Sequence, residues 1–249
     1  MKTPESGALS AALVLLARQF PTEDHAITEI ARLEAERTLP RGAIHVLSDV
    51  HGEDVKLRHV INNASGTLRP VVENLVRENF PQEDSSRLTR LVVYPKEMLE
   101  SLEAELAEPA KRREFSQRTL PFMLELIRTL ARRHTVQKAQ SLFPDEWREL
   151  LAALLFHPGG KRAEIFQSAV IDSLVEHGRD FHLLRLAARV ARDMAVDELI
   201  IAGDCFDRGP RADRVVEYLA HQPRVSFTWG NHDVAWMGAA LGQEALIAH

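Results

Sequence analysis

Three short stretches of the chain concentrate the side chains that could do chemistry. They are Asp49-Val50-His51-Gly52, Gly203-Asp204-Cys205-Phe206-Asp207-Arg208-Gly209-Pro210 and Gly230-Asn231-His232-Asp233. Asp49, His51, Asp204, Asp207, Asn231 and His232 offer oxygen and imidazole donors. Such a mixed set suits manganese, iron or zinc better than calcium, which prefers oxygen alone. One carboxylate can bridge two ions, and paired ions acidify a water and clamp both oxygens of an in-line phosphoryl displacement. Arg208 suits a phosphate because its planar fork donates two parallel hydrogen bonds. His232 could protonate the leaving oxygen, with Asp207 orienting it through the other ring nitrogen.

Each stretch alone has an ordinary reading: a surface histidine, a turn aspartate, a local Asp207–Arg208 ion pair, a simple turn. Their shared layout argues otherwise. Each follows an apolar run: Ala43–Ser48, Leu199–Ala202 and Val225–Trp229. Runs of that length bounded by turn residues read as buried strands. Carboxylates at the end of a buried strand are costly unless a cation neutralises them. Ligands at the carboxyl ends of parallel strands converge on one crevice.

The rest of the chain must place those strands. A helix carrying Leu9, Leu13, Leu16 and Phe20 stops before Pro21, because proline disfavours helical geometry in its predecessor. Its apolar stretch resembles a secretory leader, but Glu5 precedes it and no Ala-x-Ala site follows. Thr22 is an N-cap, with Glu23 and Asp24 in the first turn of a second helix bearing Ile27, Ile30 and Leu33. After the first strand comes a helix from about Glu53 to Ile61, then the loop Asn62–Gly66. From there to Met194 the pattern is helical, with one short strand possible at Leu91–Tyr94. A long helix spans about 110–140 with a bend at Pro121. Pro144 opens a further helix that His157-Pro158-Gly159-Gly160 ends, and Gly178 separates helices at about 161–176 and 180–194. The strand Leu199–Gly203, a helix at about 211–221 and the strand Val225–Trp229 form a βαβ unit with parallel strands. The expected organisation is therefore N-terminal helices over 1–40, a core of 41–62 and 196–249, and a helical insertion over 63–195.

Composition narrows the function. At 249 residues the chain can bury a sizeable core. With 31 Lys+Arg against 36 Asp+Glu, the net charge of −5 counts against nucleic-acid binding. No run is long enough to cross a bilayer. The single cysteine, Cys205, excludes an internal disulfide and suits a reducing, cytoplasmic setting. Cys205 reads as a small apolar filler, with redox sensitivity as the alternative. His45 and His157 read as structural. Trp229 and Trp236 are expected to pack the core, or to border a substrate pocket. Lys111-Arg112-Arg113 and Arg132-Arg133-His134 read as solvated helical faces, with an anionic effector as the alternative.

Asp-x-His-Gly, Gly-Asp-x-x-Asp-Arg-Gly and Gly-Asn-His-Asp resemble the first three motifs of the calcineurin-like metallophosphatases. Further stretches make the chain similar to class III fructose-1,6-bisphosphatase: Phe20-Pro21-Thr22-Glu23, Leu39-Pro40-Arg41-Gly42, Ser48–Glu53, Tyr94-Pro95, Leu142-Phe143-Pro144, Gly203–Pro210 with Asp213, and Trp229–Asp233 with Trp236–Ala240. The long helical insertion matches too. In protein Ser/Thr phosphatases that gap is short and the third motif normally ends in Glu, where this chain has Asp233. The resemblance runs from about Phe20 to the last residue. It implies an α/β fold: a β-sandwich metallophosphatase core, incomplete here, with the insertion between its first and second strands.

The resemblance also implies roles. Asp49 and His51 would bind the first metal, Asp204 would bridge both, and Asn231 would bind the second. Arg208, Asn231 and His232 would contact substrate phosphate, and His232 with Asp207 would assist the leaving group. The implied reaction is manganese-dependent hydrolysis of fructose 1,6-bisphosphate to fructose 6-phosphate in gluconeogenesis, with iron or zinc as alternative metals and a homo-oligomer possible. Family members are much longer, and the superfamily completes its second metal site with two further histidines. Here only His249 follows His232. The chain is therefore expected to be an N-terminal portion that binds a second metal poorly and turns over little alone. Other specificities, phosphoprotein or dinucleoside polyphosphate, and a non-catalytic binding fragment stand as alternatives.

Overall fold

The computed structural model describes residues 5–40, 42–156 and 160–248, with side chains from residue 11 onward. Arg41, the helix-ending His157-Pro158-Gly159 and His249 lie outside the described residues. Two compact units divide at residue 40. In the first, helices α1 (Glu5–Gln19) and α2 (Glu23–Thr38) flank Pro21. Thr22 caps α2 as its position predicts, its Oγ1 accepting the His25 N–H at 3.3 Å. Leu13, Leu16, Ile27 and Ile30 are exposed, so the apolar periodicity yields helices without burying it.

The second unit opens with β1 (Ala43–Leu47) and α3 (Asp54–Asn62). The helices α4 (Leu68–Asn79), α5 (Ser85–Val93), α6 (Pro95–Leu102), α7 (Pro109–Ala131), α8 (Val136–Ser141), α9 (Arg148–Phe156), α10 (Lys161–Glu176) and α11 (Asp180–Ala195) follow. The chain then returns through β2 (Val196–Ala202), α12 (Ala212–Ala220), β3 (Val225–Thr228), α13 (Asn231–Ala240) and α14 (Glu244–Ile247). The strands form one parallel sheet in the order β1-β2-β3, with His45 opposite Leu199 and Leu199 opposite Val225.

Two apolar clusters hold this unit. The larger is helical and buries Leu68, Leu99, Phe122, Leu126, Leu151 and Leu184. Each such side chain contributes about 1.5–3 kcal/mol on burial. α11 anchors in this cluster and runs directly into β2, so the helical block sets where the central strand begins. The smaller cluster joins β2 (Leu199, Ile201) to Val50, Leu57 of α3, Cys205, and Val215 and Leu219 of α12.

Several expectations change. Among the described residues, helices cover one face of β1: Ile44 and Val46 on its other face are 51% and 61% exposed. The apolar runs predict strands buried on both faces, as parallel sheets usually are. Trp229 and Trp236 are 75% and 57% exposed and pack no core among the described residues. Leu91–Tyr94 is no strand. Leu88, Leu91 and Val92 are buried at helical spacing on α5, and that longer period outweighs a four-residue apolar run. The helix expected over 110–140 ends at Ala131, keeping Pro121 inside it, and α8 restarts where Thr135 Oγ1 accepts the Lys138 N–H. The basic faces are also partly internal. Arg112 donates to the buried Asp180 at 2.6 Å and lies over the Phe181 ring at 4.2 Å. His134 is buried, its Nε2–H donating to the Met194 carbonyl at 3.2 Å.

Burial, the leading cause in each case, holds His45, His134 and His182 below the ordinary imidazole value. The folded values lie below the unfolded ones, so the unfolded chain takes up protons first. Their stabilisation is full above the ordinary histidine range and falls as pH drops through it. Urea midpoints should decrease from about pH 7.5 to about pH 5.5, and His134→Gln should shallow that decline. An identical slope in the variant would remove His134 from the account.

Candidate metal centre

The three motif stretches meet at the carboxyl ends of the strands. Asp49 follows β1, Asp204 follows β2, and the third stretch leaves β3 to start α13. Backbone bonds lock the first two loops together: His51 N–H to the Asp204 carbonyl at 2.8 Å, and Gly52 N–H to the Cys205 carbonyl at 3.0 Å. Asp49, His51, Asp204, Asp207 and Arg208 all adopt positive φ, from 45° to 76°. Such conformations cost of order 1–3 kcal/mol each and cluster where function over-determines the backbone.

One donor atom each from Asp49, His51 and Asp204 lies within 4.8 Å of the others. His51 Nε2 is 3.7 Å from Asp49 Oδ1. The other ring nitrogen, Nδ1, is 3.2 Å from the Phe206 carbonyl. A carbonyl only accepts, so Nδ1 carries the hydrogen and Nε2 presents its lone pair to the cluster, the usual arrangement around a metal-binding histidine. No Lys or Arg forms an ion pair with Asp49 or Asp204 among the described residues. Two neighbouring carboxylates with an oriented imidazole and no basic partner fit a divalent cation.

Beside the cluster, Asp207 Oδ2 lies 3.0 Å from Arg208 Nε and 3.2 Å from His232 Nδ1. The His51 and His232 rings meet edge-on at 5.5 Å. Arg208 therefore stands at the rim, and Asp207 holds the His232 ring through Nδ1. Asn231 is the first residue of α13 and is exposed, next to His232, whose N–H donates to Asp204 Oδ1. Burial, followed by Asp233 and Asp204, pushes the Cys205 thiol up to about 11, which fits an apolar filler.

Asp233 is the residue whose work the sequence reading missed. It is 9% exposed, and its carboxylate accepts the N–H groups of Asp204 at 2.7 Å, Cys205 at 3.0 Å and Gly230 at 3.0 Å. It thus closes α13 as an N3 acid while fastening the loop that presents Asp204. The available signal was an acid three residues after a glycine at a helix start. In return, Asp204 Oδ1 accepts the His232 N–H at 3.2 Å. Asp233→Asn removes the charge that strengthens three hydrogen bonds, so unfolding should become easier by about 1.5–3 kcal/mol. Denaturant melts check this; a midpoint unchanged from the parent would show that the loop holds without it.

A family model described as Firmicute fructose-1,6-bisphosphatase matches residues 11–249. The chain is 33% identical over 238 residues to a fructose-1,6-bisphosphatase class 3 of Clostridium acetobutylicum, covering 95% of this chain and 35% of that relative. It is 32% identical to one of Clostridioides difficile and 30% identical to one of Listeria innocua, each over 95% of this chain and 36% of the relative. No solved structure matches. The chain thus spans about a third of the length of the curated relatives it matches. With its three motif loops gathered around one donor cluster, the chain belongs to the Firmicute fructose-1,6-bisphosphatase family.

Proposed function

We propose that this chain carries the first metal position and the phosphate-handling loop of a phosphomonoesterase that hydrolyses fructose 1,6-bisphosphate to fructose 6-phosphate. The observation carrying this reading is the convergence of Asp49, His51 and Asp204 donors within 4.8 Å, beside the Arg208–Asp207–His232 set. Asp49, His51 and Asp204 hold a divalent metal, and we take manganese as the ion, with iron or zinc as alternatives. A metal there neutralises phosphoryl charge and makes water a better nucleophile. Arg208 donates its guanidinium hydrogens to phosphate oxygens and orients the ester. Asp207 holds the His232 ring so that Nε2–H can pass its proton to the departing sugar oxygen, which leaves as a hydroxyl. Asp204 and Asn231 would hold a second metal, to which Asn231 would add one neutral carboxamide donor.

The helical block 63–195 reads as an insertion between the first two core strands, and residues 1–40 as separate N-terminal helices. The exposed Ile44 and Val46 face suits a second sheet layer, as a metallophosphatase sandwich would provide.

The test is phosphate release by chelator-stripped protein, repleted with Mn²⁺ and offered fructose 1,6-bisphosphate, a phosphopeptide and a dinucleoside polyphosphate. Preference for the sugar bisphosphate supports the reading. Preference for either of the others replaces the specificity but keeps the centre. Binding of Mn²⁺ without any turnover, restored in a longer polypeptide of the family type, would make these residues a metal-holding portion only.

A further inference from the structure

A cavity of about 480 Å³ lies at the opposite end of the elements that build the metal centre. His45, which lines it, precedes Asp49 by four residues, or about 13 Å of extended strand. α3 and α12 start just after the motif loops at Gly52 and Pro210, and their far ends reach this cavity through Asn62 and Tyr218.

Three arginines, Arg58, Arg189 and Arg192, line the cavity against the carboxylates Asp193 and Glu217. Arg192 enters from α11; its Nη1 donates to the Val92 carbonyl at 2.6 Å, and no carboxylate lies within ion-pair distance of it among the described residues. Burial works against its charged form. The adjacent Asp193 is taken by Arg189 at 3.5 Å, and Glu217 stands exposed at the rim. Arg58 lies over the Tyr218 ring at 4.8 Å, with its Nε 3.9 Å from Asp54 Oδ2. Tyr218 donates its hydroxyl hydrogen to Asn62 Oδ1 at 3.0 Å, which turns the Asn62 amide hydrogens to other acceptors. His45 Nε2 is buried without a hydrogen-bond partner among the described residues.

Asp193 and Glu97 favour the charged form of Arg192 from beyond ion-pair distance, and a desolvated guanidinium with no carboxylate in contact among the described residues is stabilised by an anion that joins it. We infer that this cavity is a second ligand site, separate from the metal centre, for a small organic oxyanion gripped by Arg192 and Arg58 and flanked by Tyr218. Its volume is in the range of small-molecule sites. A phosphate ester and a dicarboxylate share the required chemistry.

The metal centre also attracts anions, so the experiment uses chelator-treated protein and amide ¹H–¹⁵N spectra. Glycerol 3-phosphate and malonate are titrated separately, and the tighter of the two assigns the class. Shifts at Asn62, Arg192 and Tyr218 are expected, with the dissociation constant weakened about tenfold or more in Arg192→Gln and unchanged in Arg208→Gln. Arg58→Gln, a substitution at an exposed position, gives the same weakening should Arg192→Gln fail to fold. Shifts confined to Gly203–Gly209 and Gly230–His232, loss in Arg208→Gln instead, or no response to either anion would overturn the site.

Discussion

Asp204→Asn should abolish tight metal binding while leaving the fold intact. Asp204 serves two functions through one carboxylate. It supplies a donor to the cluster with Asp49 and His51, and its Oδ1 accepts the His232 N–H at 3.2 Å. Asparagine has nearly the same shape and keeps a carbonyl oxygen at Oδ1, so the contact with α13 survives. What it loses is the negative charge. Loss of an outer partner of a metal ligand typically weakens binding about 10- to 100-fold, and loss of a direct anionic donor should exceed that. In the proposed reaction, hydrolysis should fall by about 10³-fold or more, since a metal ion supplies several kcal/mol of transition-state stabilisation. Without metal, the variant should be at least as stable as the parent, because the repulsion between Asp49 and Asp204 is relieved. Metal at a hundredfold excess over its dissociation constant stabilises the parent by about 2.7 kcal/mol, and that increment should vanish. Calorimetric titration with Mn²⁺ and melts with and without it measure both arms. A variant that still binds Mn²⁺ like the parent would remove Asp204 from the centre.

The chemistry of the centre was legible because it is local. A carboxylate, an imidazole or a guanidinium one to six residues past an apolar run is visible in sequence, and strand direction then carries these groups to one edge. What packs against each strand is not local. Ala43–Leu47 and Val225–Thr228 read as buried because their residue types are apolar, yet no periodicity states whether one face or two are covered. Trp229 and Trp236 failed for the same reason: aromatic bulk favours burial only where a partner layer is present. Arg112 shows the reverse error. In a basic triplet it looked like solvent-facing charge, and only the tertiary position of Asp180, 68 residues away, turns it inward. Asp233 was in plain view but was read as a family variation rather than as an acceptor, since its three N–H donors come from two loops that sequence does not juxtapose. Cys205 is buried, as expected for a small residue in a packed loop.

Gly209→Ala should be the most damaging single methyl in the molecule's motif loops, and the reason is proximity. A Cβ built at Gly209 would sit 1.6 Å from the His51 carbonyl oxygen and 2.8 Å from the Gly52 carbonyl carbon. Both neighbours are backbone, so neither can rotate away as a side chain would. The loop bearing Asp207 and Arg208 must then part from the loop bearing Asp49 and His51. That motion stretches the His51-to-Asp204 and Gly52-to-Cys205 bonds that hold the donor cluster together. Overpacking alone costs about 1–3 kcal/mol, and each weakened backbone bond adds about 0.5–1.5 kcal/mol. The expected loss is therefore roughly 3 kcal/mol or more, accompanied by loss of Mn²⁺ binding. Gly66→Ala is the control that separates crowding from backbone strain. Gly66 has φ of 87°, with nothing within 4 Å of the added methyl, so only the left-handed conformation is penalised, at about 1 kcal/mol. Its metal binding should match the parent. If Gly209→Ala instead melts and binds Mn²⁺ as Gly66→Ala does, the two motif loops are not in the contact described, and the metal centre lacks the support on which its geometry rests.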